Sequence, residues 1–366
     1  MAERKSEAVW IEKRQLWRIN IQKDGERKSF YSTMLDKKGK IEAEKKADKW
    51  MDDKTKNINI RFGKAWEGFL AKTKLETGTS NYIKLEQIGR LYLLPTLQHK
   101  KVADITLQDW QNCIDFGYKK GLYKKSLQNI RGAITAFYRY AKKNRIFMER
   151  PEDITIKKDA PVKDKTILQP DDINKLFSAD YITKYNKQEP SFFIHAWRFI
   201  LLTGLRRGEL CGIENQDVKE NVLFIKRSIN RENEVTKGKN DNANRYVALC
   251  GLALLELEEQ AKMLKKYGII SPYVFPDEYG QRLNPNHLYR KWVTYREQHG
   301  IKSSIHEMRH TMVSVSKADL PEELLKEIIG HSKSMDTYGI YGHYVEGEMK
   351  RAAEILDTVY GAIIKK

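Results

Sequence analysis

Between Ser303 and Leu320 the chain reads SSIHEMRHTMVSVSKADL. The five residues HEMRH support two kinds of chemistry. As H-E-x-x-H, they place His306 and His310 one turn apart on a single helix face, with Glu307 in position to act as a base at a bound zinc ion. As H-x-x-R, they make His306 and Arg309 a pair of donors for a phosphate. A zinc protease needs a third ligand. The extended form of that signature requires Gly and His at positions 313 and 316, where this chain has Val313 and Ser316. Arg309 would also crowd a metal ion with a second cation. The phosphate reading therefore predicts further cations elsewhere in the chain.

One lies upstream, in FILLTGLRRGELCGIENQDV. An apolar run ends in Thr-Gly-Leu, and Arg206 and Arg207 follow at a helix–turn–helix junction. Arginine suits such a bend because its planar fork grips two phosphate oxygens at once. Glu209, three residues on, is placed to orient it. Downstream, EIIGHSKSMDTYGIYGHYVEGEMK offers His331, Tyr338, Tyr341, His343 and Tyr344 among glycines. A tyrosine becomes a nucleophile toward phosphorus when neighbouring cations lower the cost of its phenolate. Each stretch has an ordinary reading as a surface ion pair or a packed aromatic. The order Arg, Lys, H-x-x-R, G-H, Tyr is what gives them weight.

Taken together, these motifs resemble the tyrosine recombinase (phage integrase) family, in outline over the whole chain and most strongly over 165–350. TGLRRGEL is similar to the family's first arginine box. The resemblance implies that Arg206 is a catalytic phosphate ligand with Glu209 as its support. IHEMRHT is similar to the H-x-L-R-H box, implying catalytic roles for His306 and Arg309 and a supporting one for His310. IIGHS is similar to the L-G-H-S box and implies His331 as a transition-state ligand. IYGHY implies Tyr341 as nucleophile, with Tyr338 and Tyr344 one helical turn to either side as alternatives. The family also uses a hairpin lysine as general acid. EVTKGKNDNANRYVAL fills that place and leaves Lys237 and Lys239 as candidates; Ala248 stands where the family often has proline. The activity implied is DNA transesterification through a 3′-phosphotyrosyl link, with no metal or nucleotide cofactor. A type IB-like topoisomerase and a catalytically inactive DNA-binding protein are the alternatives.

The elements that must position these residues can be read in outline. The 366 residues suffice for two or three domains with sizeable cores. The formal charge is +18, and it is concentrated in residues 1–150, with 34 basic against 18 acidic residues. So basic an N-terminal half predicts a polyanionic partner, most simply nucleic acid. No apolar run is long enough to span a membrane, and the N-terminus has no signal-peptide core. Cys113, Cys211 and Cys250 are scattered and odd in number, which predicts buried free thiols and a cytoplasmic, nucleoid-associated protein.

Residues 14–33 alternate apolar and polar about Asp24-Gly25, predicting a hairpin, and KIEAEKKADKWMDDK predicts a charged helix. Periodicity then predicts helices through 60–148, with Thr106 and Asp109 capping one of them. Residues 149–172 lack any period, carry three prolines and read as an exposed linker. From Pro170 onward the pattern is helical, apart from strand-like alternation over 221–250.

The predicted fold is mainly α with small β-sheets. Its expected domains are 1–57 as an arm-type DNA-binding module, 58–150 as a helical core-binding domain, 151–168 as a linker and 169–366 as the catalytic domain. Candidate DNA contacts are Arg18, Lys23, Arg27 and Lys28 on the sheet, and Arg139, Lys142 and Lys143 on the last helix before the linker. The resemblance further implies double-stranded attachment-site DNA as partner, a homotetrameric synapse, and assistance from an excisionase and a host DNA-bending protein. The last segment has Ala352, Ile355, Leu356 and Val359 on one face, which is expected either to dock on a neighbouring protomer or to pack on its own domain.

Overall fold

A computed structural model describes residues 6–23, 26–52, 59–164, 166–236, 244–330 and 347–365. The chain divides into two compact units, Met1–Lys163 and Asp164–Lys366.

The first unit begins with a three-stranded antiparallel sheet, β1 (Val9–Ile11), β2 (Leu16–Lys23) and β3 (Glu26–Ser32), in that spatial order. Lys23 pairs with Glu26 on either side of Asp24-Gly25, the predicted turn, which lies outside the described residues. Strand β1 was not foreseen, because three residues are too few to show a period. Side chains alternate across the sheet, so Trp17, Ile19 and Ile21 share one face with Phe30. Helix α1 (Asp36–Asp52) covers that face, burying Ala43 and Ala47 and packing Trp50 and Met51.

The same unit contains a helical module with its own core: α2 (Phe62–Glu76), α3 (Thr79–Ile88), the short α4 (Leu94–Leu97), α5 (Leu107–Lys119) and α6 (Lys124–Lys143). A π-turn at Gly89–Leu93 joins α3 to α4 just before Pro95, where a missing N–H breaks the regular ladder. Gly89 is required there, since a Cβ would stand 2.2 Å from the Trp66 indole nitrogen. Thr106 and Asp109 form the predicted reciprocal cap on α5.

The expected linker is exposed over most of its length, but it is anchored at several points. Met148, Ile154 and Ala160 are buried in the core of the helical module. Thr155 N donates to Gln111 Oε1 at 3.0 Å, and Tyr118 Oη donates to Asp159 at 2.7 Å. Lys124 N donates to the Pro161 carbonyl at 2.8 Å. The segment shows no period because it is neither helix nor strand. It is nonetheless held by isolated apolar anchors and by hydrogen bonds to α5 and α6. Leu168, by contrast, is buried in the second unit, where its N–H donates to Thr311 Oγ1 at 2.9 Å.

The second unit is built around α8 (Ile194–Thr203), which is almost wholly buried: most of its residues are apolar, and its polar pair His195 and Arg198 face the buried Glu256. Around it lie α7 (Pro170–Ser178), α10 (Gly251–Lys266), α11 (Pro285–Gln298) and α12 (Ile305–Ser316). Trp197 of α8 meets Tyr295 and Trp292 of α11 at centroid distances of 4.9 and 5.3 Å. Three small antiparallel sheets are appended. β4 (Tyr181–Lys184) pairs with β5 (Lys187–Pro190). β6 (Val218–Lys219), β7 (Val222–Ile225) and β10 (Arg245–Ala248) form a sheet in the order β10-β7-β6. β8 (Ser228–Ile229) pairs with β9 (Val235–Thr236). The short α9 (Arg207–Leu210) follows α8, and α13 (Glu322–Ile329) follows α12.

Of the two expected arrangements of the C-terminal helix α14 (Glu348–Ile363), the structure shows packing on its own unit. Met349, Ala352, Leu356 and Tyr360 are buried in that core, and Tyr360 Oη donates to the Leu201 carbonyl at 2.7 Å. Asp357 accepts from the N–H groups of Gly251 and Leu252 and so caps α10. The apolar face read from the sequence is real, but α10 and β10 of the same chain cover it.

Candidate active site

Three chain segments far apart in sequence bring arginines to one place. Helix α13 ends at Gly330, which is left-handed with φ 62°. The last carbonyls of a helix have no partner within it and carry partial negative charge. Here they are taken by three different arginines. Arg245 Nε donates to Ile328 O at 2.7 Å, an Arg309 amino group donates to Ile329 O, and Arg206 Nη2 donates to Gly330 O at 3.1 Å. Only glycine fits position 330, since its φ is positive and a Cβ would stand 2.9 Å from Arg245 Cδ.

Arg206 sits in the extended residue before α9. It is extended because α8 ends on Gly204, also left-handed, which turns the chain out of the core. Its Nη1 donates to Glu209 Oε1 at 2.7 Å, and its backbone N–H donates to Glu209 Oε2 at 2.8 Å. Its side chain keeps 41% of its surface open to solvent, so it can still meet a ligand. Arg309, on α12, is buried and also donates to the Gly204 carbonyl at 2.7 Å. Burial and the nearby Arg206 lower its pKa to about 10, which leaves it charged at neutral pH.

Glu209 is the counter-charge. It accepts from Arg245 Nη1 at 3.0 Å and Nη2 at 2.9 Å, in addition to its bonds with Arg206. Burial alone would raise its pKa, but the hydrogen bonds and charge of Arg245, followed by those of Arg206, hold it at about 2. Arg245 was not among the residues singled out from sequence. The available signal was an arginine at an inward position of an alternating strand: Arg245 and Val247 are buried, and Tyr246 is exposed.

His306 stands at the exposed start of α12. Partial burial, then the neighbouring His310, Arg309 and Arg206, push its pKa below the ordinary imidazole value. Its ring meets that of His310 edge-on at 5.1 Å. The two histidines do share a helix face, as H-E-x-x-H requires. Glu307, however, accepts from the Ser304 N–H and hydroxyl as the reciprocal cap of α12. Among the described residues no group of three or more His, Cys, Asp or Glu side chains could hold a metal ion. In the opening motif, then, Glu307 is occupied as a helix cap.

The other sequence candidates separate as follows. Lys237, Lys239, His331 and Tyr341, with Tyr338 and Tyr344, lie outside the described residues. Arg18 and Arg27 are exposed on the sheet face opposite α1, in register with Tyr31 and Gln22 respectively. Lys23 ends β2. Lys28 pairs with Ile21, on the face α1 covers, and its ammonium lies 5.8 Å from the Phe30 ring centroid and 5.9 Å from that of Trp50. Arg139, Lys142 and Lys143 are all exposed near the end of α6. Arg139 and Lys143 line a groove of about 350 Å³ with Lys72 and Tyr140. All three cysteines are buried and unpaired, with burial raising Cys211 to about 12 and Cys250 to about 11.

The chain and its fold have known counterparts. Residues 166–347 match the phage integrase family. A tyrosine recombinase XerC-like protein of Caldanaerobacter subterraneus subsp. tengcongensis is 22% identical over 374 residues, covering 91% of this chain and 92% of that one. The tyrosine recombinase XerC of Bacillus licheniformis is also 22% identical, covering 77% and 92%. Among solved structures, the Tn1549 transposon integrase in complex with transposon right-end DNA superposes with a TM-score of 0.64 at 18% identity, covering 81% of this chain and 99% of that one. A lambda integrase tetramer bound to a Holliday junction superposes at 0.60 and 14%, covering 92% and 96%. The chain is a tyrosine recombinase of the integrase family. Its activity is site-specific DNA recombination.

Proposed function

We propose that this enzyme cuts and rejoins double-stranded attachment-site DNA through a 3′-phosphotyrosyl intermediate, to integrate or excise a mobile element. The observation that carries this is the convergence of Arg206 and Arg309, held on adjacent carbonyls beside His306. Two fixed guanidiniums suit the two negative charges of a pentacoordinate phosphorane, because preorganised donors need no rearrangement as charge develops.

In the proposed reaction the Tyr341 hydroxyl oxygen attacks the scissile phosphorus and the P–O5′ bond breaks. The 3′-phosphate is left on the tyrosine, and Lys237 or Lys239 gives a proton to the departing 5′ oxygen. Arg206, Arg309 and His331 bind the non-bridging oxygens. His306, neutral at pH 7 because its pKa lies below the ordinary value, can donate a hydrogen bond there or accept the phenol proton. One phosphodiester is exchanged for another of similar energy, so rejoining to a partner strand consumes no nucleotide.

The basic sheet and α6 supply non-specific phosphate contacts through Arg18, Arg27, Arg139, Lys142 and Lys143. A homotetramer synapsing two duplexes, helped by an excisionase and a DNA-bending protein, completes the reading; the lambda integrase tetramer on a Holliday junction supports that stoichiometry. No helix among the described residues is long and apolar enough to cross a membrane, and a nucleoid-associated location in the cytoplasm suits the proposed substrate. The recombinase relatives weigh against a type IB-like topoisomerase.

The test is a covalent trap. Wild type and Tyr341→Phe are incubated in EDTA with end-labelled suicide duplexes carrying the element's junction, then run on denaturing gels. A shifted band with wild type alone is expected. A band that survives Tyr341→Phe would move the nucleophile to Tyr338 or Tyr344. Binding without any adduct would make this a DNA-binding protein only.

A further inference from the structure

The three arginines at the end of α13 differ in what they can do. Arg206 is partly open to solvent. Arg309 is buried, but it sits three residues from exposed His306 on the same helix. Arg245 has 4% of its side chain exposed, and each of its three nitrogens donates to a group of the protein: both Nη groups to Glu209 and Nε to Ile328 O. Buried in this way, it is not placed to touch DNA. It links instead the carboxylate that orients Arg206, the strand that follows the segment carrying Lys237 and Lys239, and the helix end immediately before His331.

We propose that Arg245 is a positioning residue for strand cleavage, a fork that locks the Arg206–Glu209 pair to the Gly330 bend and so sets the spacing of the phosphate-binding groups. The reason is geometric. A guanidinium offers parallel donors on one edge and a third donor on Nε, and here the parallel pair fits the two oxygens of Glu209 while Nε reaches a helix carbonyl. Lysine has the charge but not the fork. The fork also keeps Glu209 ionised, so that Arg206 always meets a carboxylate and never a carboxylic acid. The groups facing Glu209 are Arg206 from its own turn and Arg245 from β10; Arg309 from α12 acts at longer range.

This inference rests on the recombinase reading, and its test separates the two. Full-length wild type, Arg245→Lys, Arg245→Met, Glu209→Gln and the Glu209→Gln/Arg245→Met double variant are compared on the suicide duplex. Single-turnover cleavage at saturating protein and DNA affinity by anisotropy are both measured. Arg245→Lys and Arg245→Met should slow cleavage about 10–100-fold, the scale of a misplaced catalytic group, with Kd changed less than about twofold. The double variant, which leaves no unpaired buried charge, should fold and cleave no more slowly than Arg245→Met alone. The acid limb of the pH–rate profile should move toward neutrality in Arg245→Met, because Glu209 then takes up a proton at higher pH.

Cleavage by Arg245→Lys at the wild-type rate would overturn the positioning role alone. So would a loss confined to Kd, or losses for Glu209→Gln and Arg245→Met that multiply in the double variant. A wild type that binds but leaves the duplex uncut overturns the recombinase reading and this proposal with it.

Discussion

The two ends of the described chain use cations in opposite ways. On the N-terminal sheet, Arg18 and Arg27 stand in solvent on the face opposite α1. In the second unit, Arg245 and Arg309 are buried and held by hydrogen bonds, Arg309 to the Gly204 and Ile329 carbonyls and Arg245 to the Ile328 carbonyl and Glu209. An exposed cation gains affinity by releasing counterions from DNA and tolerates movement. A buried, hydrogen-bonded one loses that generality but arrives with its direction already set, which transition-state binding requires. The first kind should govern affinity and salt dependence, the second rate.

That contrast can be broken most forcefully at the site. Replacing Arg206 or Arg309 with alanine should cost about 10²–10³-fold in single-turnover cleavage, the usual loss for one preorganised donor, with affinity for site DNA nearly unchanged. If affinity fell in parallel with rate, the division of labour would be wrong. Next, Glu209→Ala strands Arg245 without its partner and should destabilise the catalytic unit by roughly 3–5 kcal/mol, as breaking a buried pair does. Urea unfolding monitored by tryptophan fluorescence reads this directly.

The same pair sets an acid limit. Because Glu209 is held at about 2 in the folded state, below its unfolded value, its contribution is complete above about pH 5 and fades as pH falls toward 2. Melting temperature measured from pH 7 down to 3 should therefore drop for wild type and stay flatter for Glu209→Gln.

On the sheet, Arg18→Ala with Arg27→Ala should leave the saturated cleavage rate untouched. The slope of log affinity against log salt should fall by about 2, one unit per phosphate contact. Lys28→Ala sharpens the comparison, since Lys28 shares the face covered by α1 and should change that slope less than either arginine. The smallest effect is expected at Glu307. Loss of a helix cap costs about 1 kcal/mol, so Glu307→Ala should lower the melting temperature by a few degrees while cleavage in EDTA persists. Were Glu307 a metal-site base, the substitution would abolish activity instead.

Sequence spacing alone decided a good deal. The order and spacing of the two arginine motifs, the G-H box and the tyrosine carry the resemblance to the family, and Gly204 and Gly330 fall at helix ends. Hairpins, caps and helices were legible wherever a period ran long enough, as in β2, β3, α5 and α6. Tertiary structure decided what has no period. Residues 149–172 read as an exposed linker, and part of that segment proves to be anchored, because single side chains such as Ile154 and the backbone of Thr155 find partners on helices dozens of residues away. The apolar stripe of α14 is the same whether it is buried in cis or in trans, and only the surface offered by α10 and β10 selects cis. Nor could any local pattern show that Arg245 would meet Glu209, because the pairing depends on the register of β10 against β7 and on where α13 ends, and the contacts that set both are far apart in the chain.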